Sequence, residues 1–384
     1  MISPQVTVPE ILLDEMQRHW QQLSDRVLSE DAQCWSQCQQ QKRALRQVIV
    51  ASPWCLQSWI AQPSLLNLPW FSEAYDKTRM RVELAAALHD IRDEVQLGQA
   101  LRLFRRRHQI RLIWRNTLRL CESSELTQEL SNMADVCINE ALQWLYVDAV
   151  ARWGEPQDQQ GQAQAMVVLG MGKQGGGELN LSSDIDLIFA FPAAGETHGA
   201  RKSLDNQQFF IRLGQRLIQA LDQQTADGFV FRVDMRLRPY GASGALALNF
   251  NAMERYYQEQ GREWERYAFI KARVVAGDLQ AGADLLQTLR PFVYRRYLDY
   301  SAIESLRGLK QMIASEVRRR GLHNNIKLGS GGIREVEFIG QAFQLIRGGR
   351  DQRLQTTSLM QVLDLLPDVA GWQSHEIRKL KTAY

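Results

Sequence analysis

The spacing of apolar residues changes along the chain and divides it into three stretches. Over residues 9–120, Ile11, Leu12, Met16, Trp20, Leu23 and Val27 recur at steps of three and four, which lines one face of a helix. Pro53, Pro63 and Pro69 then cut the pattern into shorter helices, and a long helical stretch resumes near Val82. After Trp153 the polar segment 154–164 reads as a loop, and 165–169 is a short apolar run of strand character that enters a glycine cluster. A second strand is expected over 181–191, a helix over 205–221, and a third strand over 228–238, closed by Pro239 and Gly241. From about Asn251 helix signals return, interrupted by Pro291 and by Gly329, Gly331 and Gly332. The fold class this predicts is α+β and predominantly helical, with a compact α/β unit set between helical regions. The last residues, Thr382, Ala383 and Tyr384, fall inside a helical pattern with no stop signal, which reads as a chain cut short.

The length of 384 residues allows two or three domains, each with its own core. With 45% hydrophobic and 23% charged residues, disorder is excluded as the default. The formal charge of +3 is too small for a protein that binds mainly by neutralising many nucleic-acid phosphates, so no nucleic acid is expected as partner. Six arginines between Arg102 and Arg115 invite that reading locally. The apolar residues among them, Leu101 to Trp114, point instead to a packed helix whose arginines form a solvated or ion-paired face.

The five cysteines (Cys34, Cys38, Cys55, Cys121 and Cys137) form no CxxC pair, and the histidines, His108 and His323 among them, have no ligand spacing; zinc is not expected. The start has no Lys or Arg before Arg18 and carries Pro4 and Pro9, unlike a signal peptide, and no apolar run is long enough to span a bilayer. A cytoplasmic protein with no membrane partner is the expectation.

Glycine is ordinary in total, at 26 residues, yet Gly170, Gly172, Gly175, Gly176 and Gly177 stand together. Gly170 to Gly175 formally matches GxGxxG, but the acids that follow, Asp184 and Asp186, come too early for a ribose-binding partner at the end of a second strand. A phosphate-binding GK[ST] loop fails because Gln174 follows Lys173. Asp184 and Asp186 instead open a strand two residues apart, on one face of it, where hard carboxylate oxygens favour Mg²⁺. On the expected third strand Arg232, Asp234, Arg236 and Arg238 share a face, so Asp234 would complete a three-carboxylate site if the two strands are neighbours. The arginines can hold phosphate oxygens in bidentate fashion, and the glycine turn with Lys173 lets a phosphate approach the backbone. An acid pair that merely starts a strand after a turn is the plainer alternative.

Longer motifs extend this pattern. They are Leu169-Gly170-Met171-Gly172-Lys173 through Gly177-Glu178-Leu179-Asn180, Ser182-Ser183-Asp184-Ile185-Asp186, Arg232-Val233-Asp234-Met235-Arg236-Leu237-Arg238-Pro239, Trp264-Glu265-Arg266-Tyr267 with Lys271-Ala272-Arg273, and Asn325-Ile326-Lys327 leading to Gly331-Gly332-Ile333-Arg334-Glu335-Val336-Glu337. Together they resemble the glutamine synthetase adenylyltransferase/adenylyl-removing enzymes, whose catalytic units belong to the DNA polymerase beta-like nucleotidyltransferase superfamily. That family joins two such units in one polypeptide, and Gly177 makes this chain similar to the N-terminal, adenylyl-removing one; Gln174 departs from the commoner Leu.

The resemblance implies a helical region over 1–120, a nucleotidyltransferase domain over 121–277 and a helical region over 278–384. It implies phosphorolysis of adenylyl-tyrosine on glutamine synthetase to give ADP, with regulation by the PII signal protein. Asp184, Asp186 and Asp234 would be catalytic and would hold Mg²⁺ or Mn²⁺. Gly170, Gly172, Lys173, Ser183, Arg236, Arg238 and Lys271 would bind nucleotide or phosphate. Glu265, Lys271 and Arg273 are expected on a helix, in ion-paired packing or in nucleotide contact; Arg334, Glu335 and Glu337 are expected at a helix start. The alternatives are an ATP-dependent protein adenylyltransferase and a non-catalytic docking module for PII or glutamine synthetase.

Overall fold

The computed structural model describes residues 8–66, 68–296 and 331–384, and between these last two 304, 307, 308, 311, 315, 319, 325–327 and 329; Pro4 and His323 lie outside the described residues. It is mostly helical with two small sheets, an α+β arrangement, and separates into two compact units. The first comprises Met1–Ala141, Glu178–Ser183 and Ala220–Phe231; the second comprises Leu142–Gly177, Asp184–Gln219 and Arg232–Tyr384.

In the first unit helices follow one another closely: α1 (Leu13–Glu30), α2 (Ala32–Gln40), α3 (Lys42–Ala51), α4 (Pro53–Ala61), α5 (Leu68–Phe71), α6 (Lys77–Leu88), α7 (Glu94–Thr117) and the first part of α8 (Ser123–Trp153). Short side chains set their starts. Asp31, Asp76 and Asp93 each accept from a backbone N–H of the first turn, and Ser52 does so ahead of Pro53, whose fixed φ suits the first helical position. Met16, Trp20, Leu23 and Val27 are buried as their spacing predicts, whereas Ile11 precedes the helix and is exposed. Trp20, Leu23, Leu45, Trp59, Phe71 and Trp114 lie in one core cluster.

The arginine-rich helix α7 is ion-paired as expected, but inside the fold. Arg111 and Arg115 do not lie on a solvated face; both are buried, and both donate to Glu129 of α8, with Arg115 also reaching Glu125. The local pattern identifies charge but cannot show that an acid about two turns into the next helix draws that charge inside.

In the second unit β2 (Val167–Met171) lies between β3 (Ile185–Phe191) and β7 (Arg273–Gly277), antiparallel to both. The other edge of β3 pairs in parallel with β5 (Val233–Asp234) and then β6 (Ala247–Asn249). Val167, Leu169, Ile188 and Ala190 pack into a core with Tyr257, Phe269 and Leu285, from α11 (Phe250–Glu259), α12 (Glu263–Phe269) and α13 (Leu279–Val293). The short helix α9 (Gly172–Gly176) follows β2, and α10 (Asn206–Asp222) occupies the stretch expected as helix. Helices α14 (Ile333–Arg347), α15 (Leu359–Ala370) and α16 (Ser374–Ala383) close a smaller core around Val336, Leu363 and Ile377.

Four expectations are corrected. The segment 154–164 is not all loop: β1 (Glu155–Asp158) pairs with β4 (Gly195–His198), and their polar sequences carry no apolar alternation to read. The second strand begins at Ile185, because 180–183 forms a turn in which the Ser183 N–H donates to the Asn180 carbonyl. The expected third strand shrinks to Val233–Asp234; before it, the N–H groups of Val230 and Phe231 both donate to the carbonyl of Leu221, and after it the chain turns at Gly241 and Gly244. Arg273 opens a strand, not a helix, since α12 ends at Phe269 and Arg273 and the β-branched Val274 pair with Gly170 and Leu169 of β2.

Candidate active site

The acids of the two expected strands do become neighbours. In the parallel pair of β3 and β5, Ile185 faces Val233 and Asp186 faces Asp234 in register, and the Ile185 N–H donates to the Arg232 carbonyl at 2.9 Å. Asp184 stands one residue before β3. Its carboxylate accepts from Arg232 Nε at 2.5 Å, and both side chains are about half exposed. Asp234 accepts from the backbone N–H of Arg236 at 2.8 Å and from its Nε at 2.8 Å, and these bonds hold its carboxyl below the ordinary range.

Asp186 lies between them. Burial, then the charges of Asp234 and Asp184, push its carboxyl up to about 6, against the pull of Arg236 and Lys327. A half-buried carboxylate flanked by two like charges is what a bound cation would relieve, and three oxygen-donor acids suit a hard divalent ion. Among the described residues no three acidic, histidine or cysteine side chains already gather as a metal cage; Asp184 and Asp234 are each turned onto an arginine.

The glycine cluster lies against these acids for steric reasons. Gly172 has φ of +54°, and a Cβ built there would sit 2.8 Å from the Asp186 carboxylate. At Gly175 a Cβ would fall 1.7 Å from the Lys271 carbonyl oxygen. Arg273 fixes the same place from β7, donating to the carbonyls of Gln174 at 2.9 Å and Gly175 at 3.1 Å. Gly175→Ala is therefore expected to cost about 1–3 kcal/mol by overpacking and to lower activity by displacing α9 from Asp186. Thermal unfolding together with an activity assay checks both.

The remaining residues expected to hold phosphate have varied surroundings. Lys173 is half-buried on α9, and Gly170 lies in β2, where a Cβ would meet Val275 at 2.5 Å. Ser183 closes the 180–183 turn, its hydroxyl accepting from the Asn180 N–H at 3.3 Å. The Arg236 guanidinium is largely exposed beside Asp234. Arg238 instead donates to the carbonyls of Met235, Ala242 and Gly244, which shapes the loop after β5. Lys271 is buried and donates to Glu337 of α14 at 2.7 Å. Glu265 accepts from the Tyr256 hydroxyl and caps α12 at the Arg262 N–H, while Glu335 accepts from the Gly331 N–H at the start of α14.

Two neighbours of the acids carried no individual role in the sequence reading. Lys327 acts on Asp186 from the segment between α13 and α14, and Arg232 pairs with Asp184 although it belongs to the strand of Asp234. The only signal for Lys327 was its place in the Asn325-Ile326-Lys327 motif.

The glutamate-ammonia ligase adenylyltransferase family matches residues 42–288, well over half the chain and all of the acid site. The chain belongs to that family. A second family, GlnD PII-uridylyltransferase, matches residues 307–384. Similar members of the adenylyltransferase family include proteins of Pseudomonas putida, 55% identical over 98% of this chain and 39% of their own length, and Pseudomonas aeruginosa, 59% identical over 79% and 31%. Both are named bifunctional glutamine synthetase adenylyltransferase/adenylyl-removing enzyme. The chain thus spans less than half the length of these relatives. The five cysteines are free, and among the described residues no helix is long and apolar enough to cross a membrane.

Proposed function

We propose that this chain is the adenylyl-removing unit of the family, a cytoplasmic nucleotidyltransferase that moves AMP from a tyrosine oxygen of glutamine synthetase to inorganic phosphate, giving ADP. The observation that carries this reading is the register of Asp186 beside Asp234, with Asp184 adjacent and the Asp186 carboxyl raised by its neighbours. The reading includes a DNA polymerase beta-like core within 121–277, supported by acids on adjacent strands of a small mixed sheet.

Asp184, Asp186 and Asp234 would hold Mg²⁺ or Mn²⁺. When bound, the ion would neutralise phosphate oxygens and the departing phenolate. The side chains of this chain set the stage for it. Arg232 and Arg236 hold two of the acids in place and keep exposed guanidinium surface for anionic phosphate, while the glycine backbone leaves room over Asp186. No general base on the protein is required, because phosphate is already anionic at neutral pH. The tyrosine phenol, with a pKa of about 10, is a workable leaving group. A PII signal protein is proposed as regulatory partner, supported by the name of the second matching family.

The test is to incubate adenylylated glutamine synthetase with the chain, Mg²⁺ and phosphate and to measure ADP. Phosphate-dependent ADP is expected. Labelling of glutamine synthetase from ATP in its absence would favour an adenylyltransferase, and neither reaction would favour a docking module. Because a proton competes with the cation at Asp186, the apparent Mg²⁺ affinity should fall about tenfold per pH unit below about 6. Mg²⁺ titrations at pH 5, 6 and 7.5 check this.

A further inference from the structure

On α7, Arg102, Arg105 and Arg106 stand at steps of three and four and share a face. With Trp54 of α4 and with Asp227 and Phe229 of the 220–231 segment they line a cavity of about 400 Å³, wholly within the first unit. Arg102 is only 7% exposed and packs over Gly98, where a Cβ would lie 3.0 Å from its Nη1. Its guanidinium donates no hydrogen bond among the described residues, and its Nε is sealed from solvent without an acceptor. Burial holds its pKa down; the charge of Asp227 opposes that, and Arg106 adds to it.

The contrast along the same helix is informative, since the equally buried Arg111 and Arg115 both bond carboxylates. Arg106 does reach Asp227, at 2.7 Å to its carbonyl and 3.5 Å to its carboxylate, but that acid is more than half exposed. Arg105 lies over the rings of Phe229 and Trp54, at 5.1 and 5.9 Å from their centroids. Arg102 lines the cavity with no acceptor among the described residues, and a buried guanidinium so placed is costly unless a ligand supplies one.

We propose that this cavity binds a phosphate-bearing small molecule, with its phosphate held by Arg102 and Arg106 and its organic part against Trp54 and Phe229. A phosphate monoester carries about −1.5 to −2 at neutral pH, and its oxygens fit the guanidinium fork. The volume lies in the range of sites for small organic ligands and is far larger than inorganic phosphate needs. This site shares no residue with the acids of β3 and β5, so it stands or falls apart from the proposed reaction.

Phenyl phosphate is the probe, titrated into the whole chain in EDTA by calorimetry and by tryptophan fluorescence. Saturable one-to-one binding is expected, weakened at least tenfold in Arg102→Gln and in Arg106→Gln and unchanged in Asp184→Asn. Trp54→Phe should bind more weakly and lose the emission change. Without ligand, Arg102→Gln should melt above the parent, because the unmet buried charge is gone, and phenyl phosphate should raise the melting temperature of the parent and of Asp184→Asn more than that of Arg102→Gln. Arg106→Gln keeps the test decisive should Arg102→Gln fail to fold. The proposal is overturned by an absence of binding, by binding that the arginine variants leave intact, by loss of binding in Asp184→Asn, or by succinate binding more tightly than phenyl phosphate.

Discussion

Asp186→Asn should abolish ADP formation, by at least about 1,000-fold, and yet make the metal-free chain more stable at neutral pH. The two effects have one cause. Burial and the like charges of Asp234 and Asp184 raise the Asp186 carboxyl from the ordinary 3.8 to about 6. The fold therefore prefers the protonated acid. That contribution to stability is complete below about 3.8 and is lost as pH rises through about 6. At pH 7 the ionised carboxylate costs on the order of 2–3 kcal/mol, which asparagine removes along with the charge. Urea unfolding of parent and variant between pH 4 and 8, in EDTA, should show curves that separate as pH rises. Saturating Mg²⁺ should close the gap by stabilising the parent alone. A variant that keeps ADP formation would remove Asp186 from the chemistry, and one no more stable than the parent at pH 7.5 would show that the three acids do not repel one another in the folded chain.

The largest effect on stability is expected from Glu129→Gln. Glu129 is buried on α8 and accepts from both Arg111 and Arg115, whose guanidiniums are themselves buried. Removing one member of such a group leaves uncompensated charge in a low-dielectric interior, typically about 3–5 kcal/mol. Arg115 keeps Glu125, so most of the cost falls on Arg111, which among the described residues keeps only the Glu73 carbonyl as a hydrogen-bond acceptor. Chemical denaturation measures the loss. The double variant Arg111→Met with Glu129→Met should be closer to the parent than Glu129→Gln alone, since it deletes both sides of the main pair. If Glu129→Gln costs less than about 1 kcal/mol, the pair behaves like an exposed one and the burial of Arg111 needs another explanation.

Arg102, Arg111 and Arg115 also show where a pattern along the chain stops informing. In sequence they are one basic stripe on an apolar helix. In the fold, two find carboxylates on α8 and one finds none among the described residues. The difference depends on which side chain of another element lies opposite, and no spacing within α7 encodes it.

Strand limits failed for a related reason. Residues 231–238 alternate apolar and polar like a strand, yet only Val233–Asp234 finds an edge of β3 to pair with. Glu155–Asp158 has no apolar alternation and is still a strand, because Gly195–His198 satisfies its backbone groups.

By itself the sequence determined the candidate residues. Asp184 and Asp186 stand two apart near a strand start, Asp234 lies among arginines, and five glycines cluster just upstream. These depend on residue type and near neighbours, which a linear chain displays. Tertiary structure alone decided that Asp186 and Asp234 lie side by side, that Arg232 crosses to Asp184, that Lys271 is buried on Glu337, and that Arg102 has no acceptor among the described residues. Each of those depends on which distant segment fills the space opposite. The energy of a buried charge is set by that neighbour far more than by the residues flanking it in the chain.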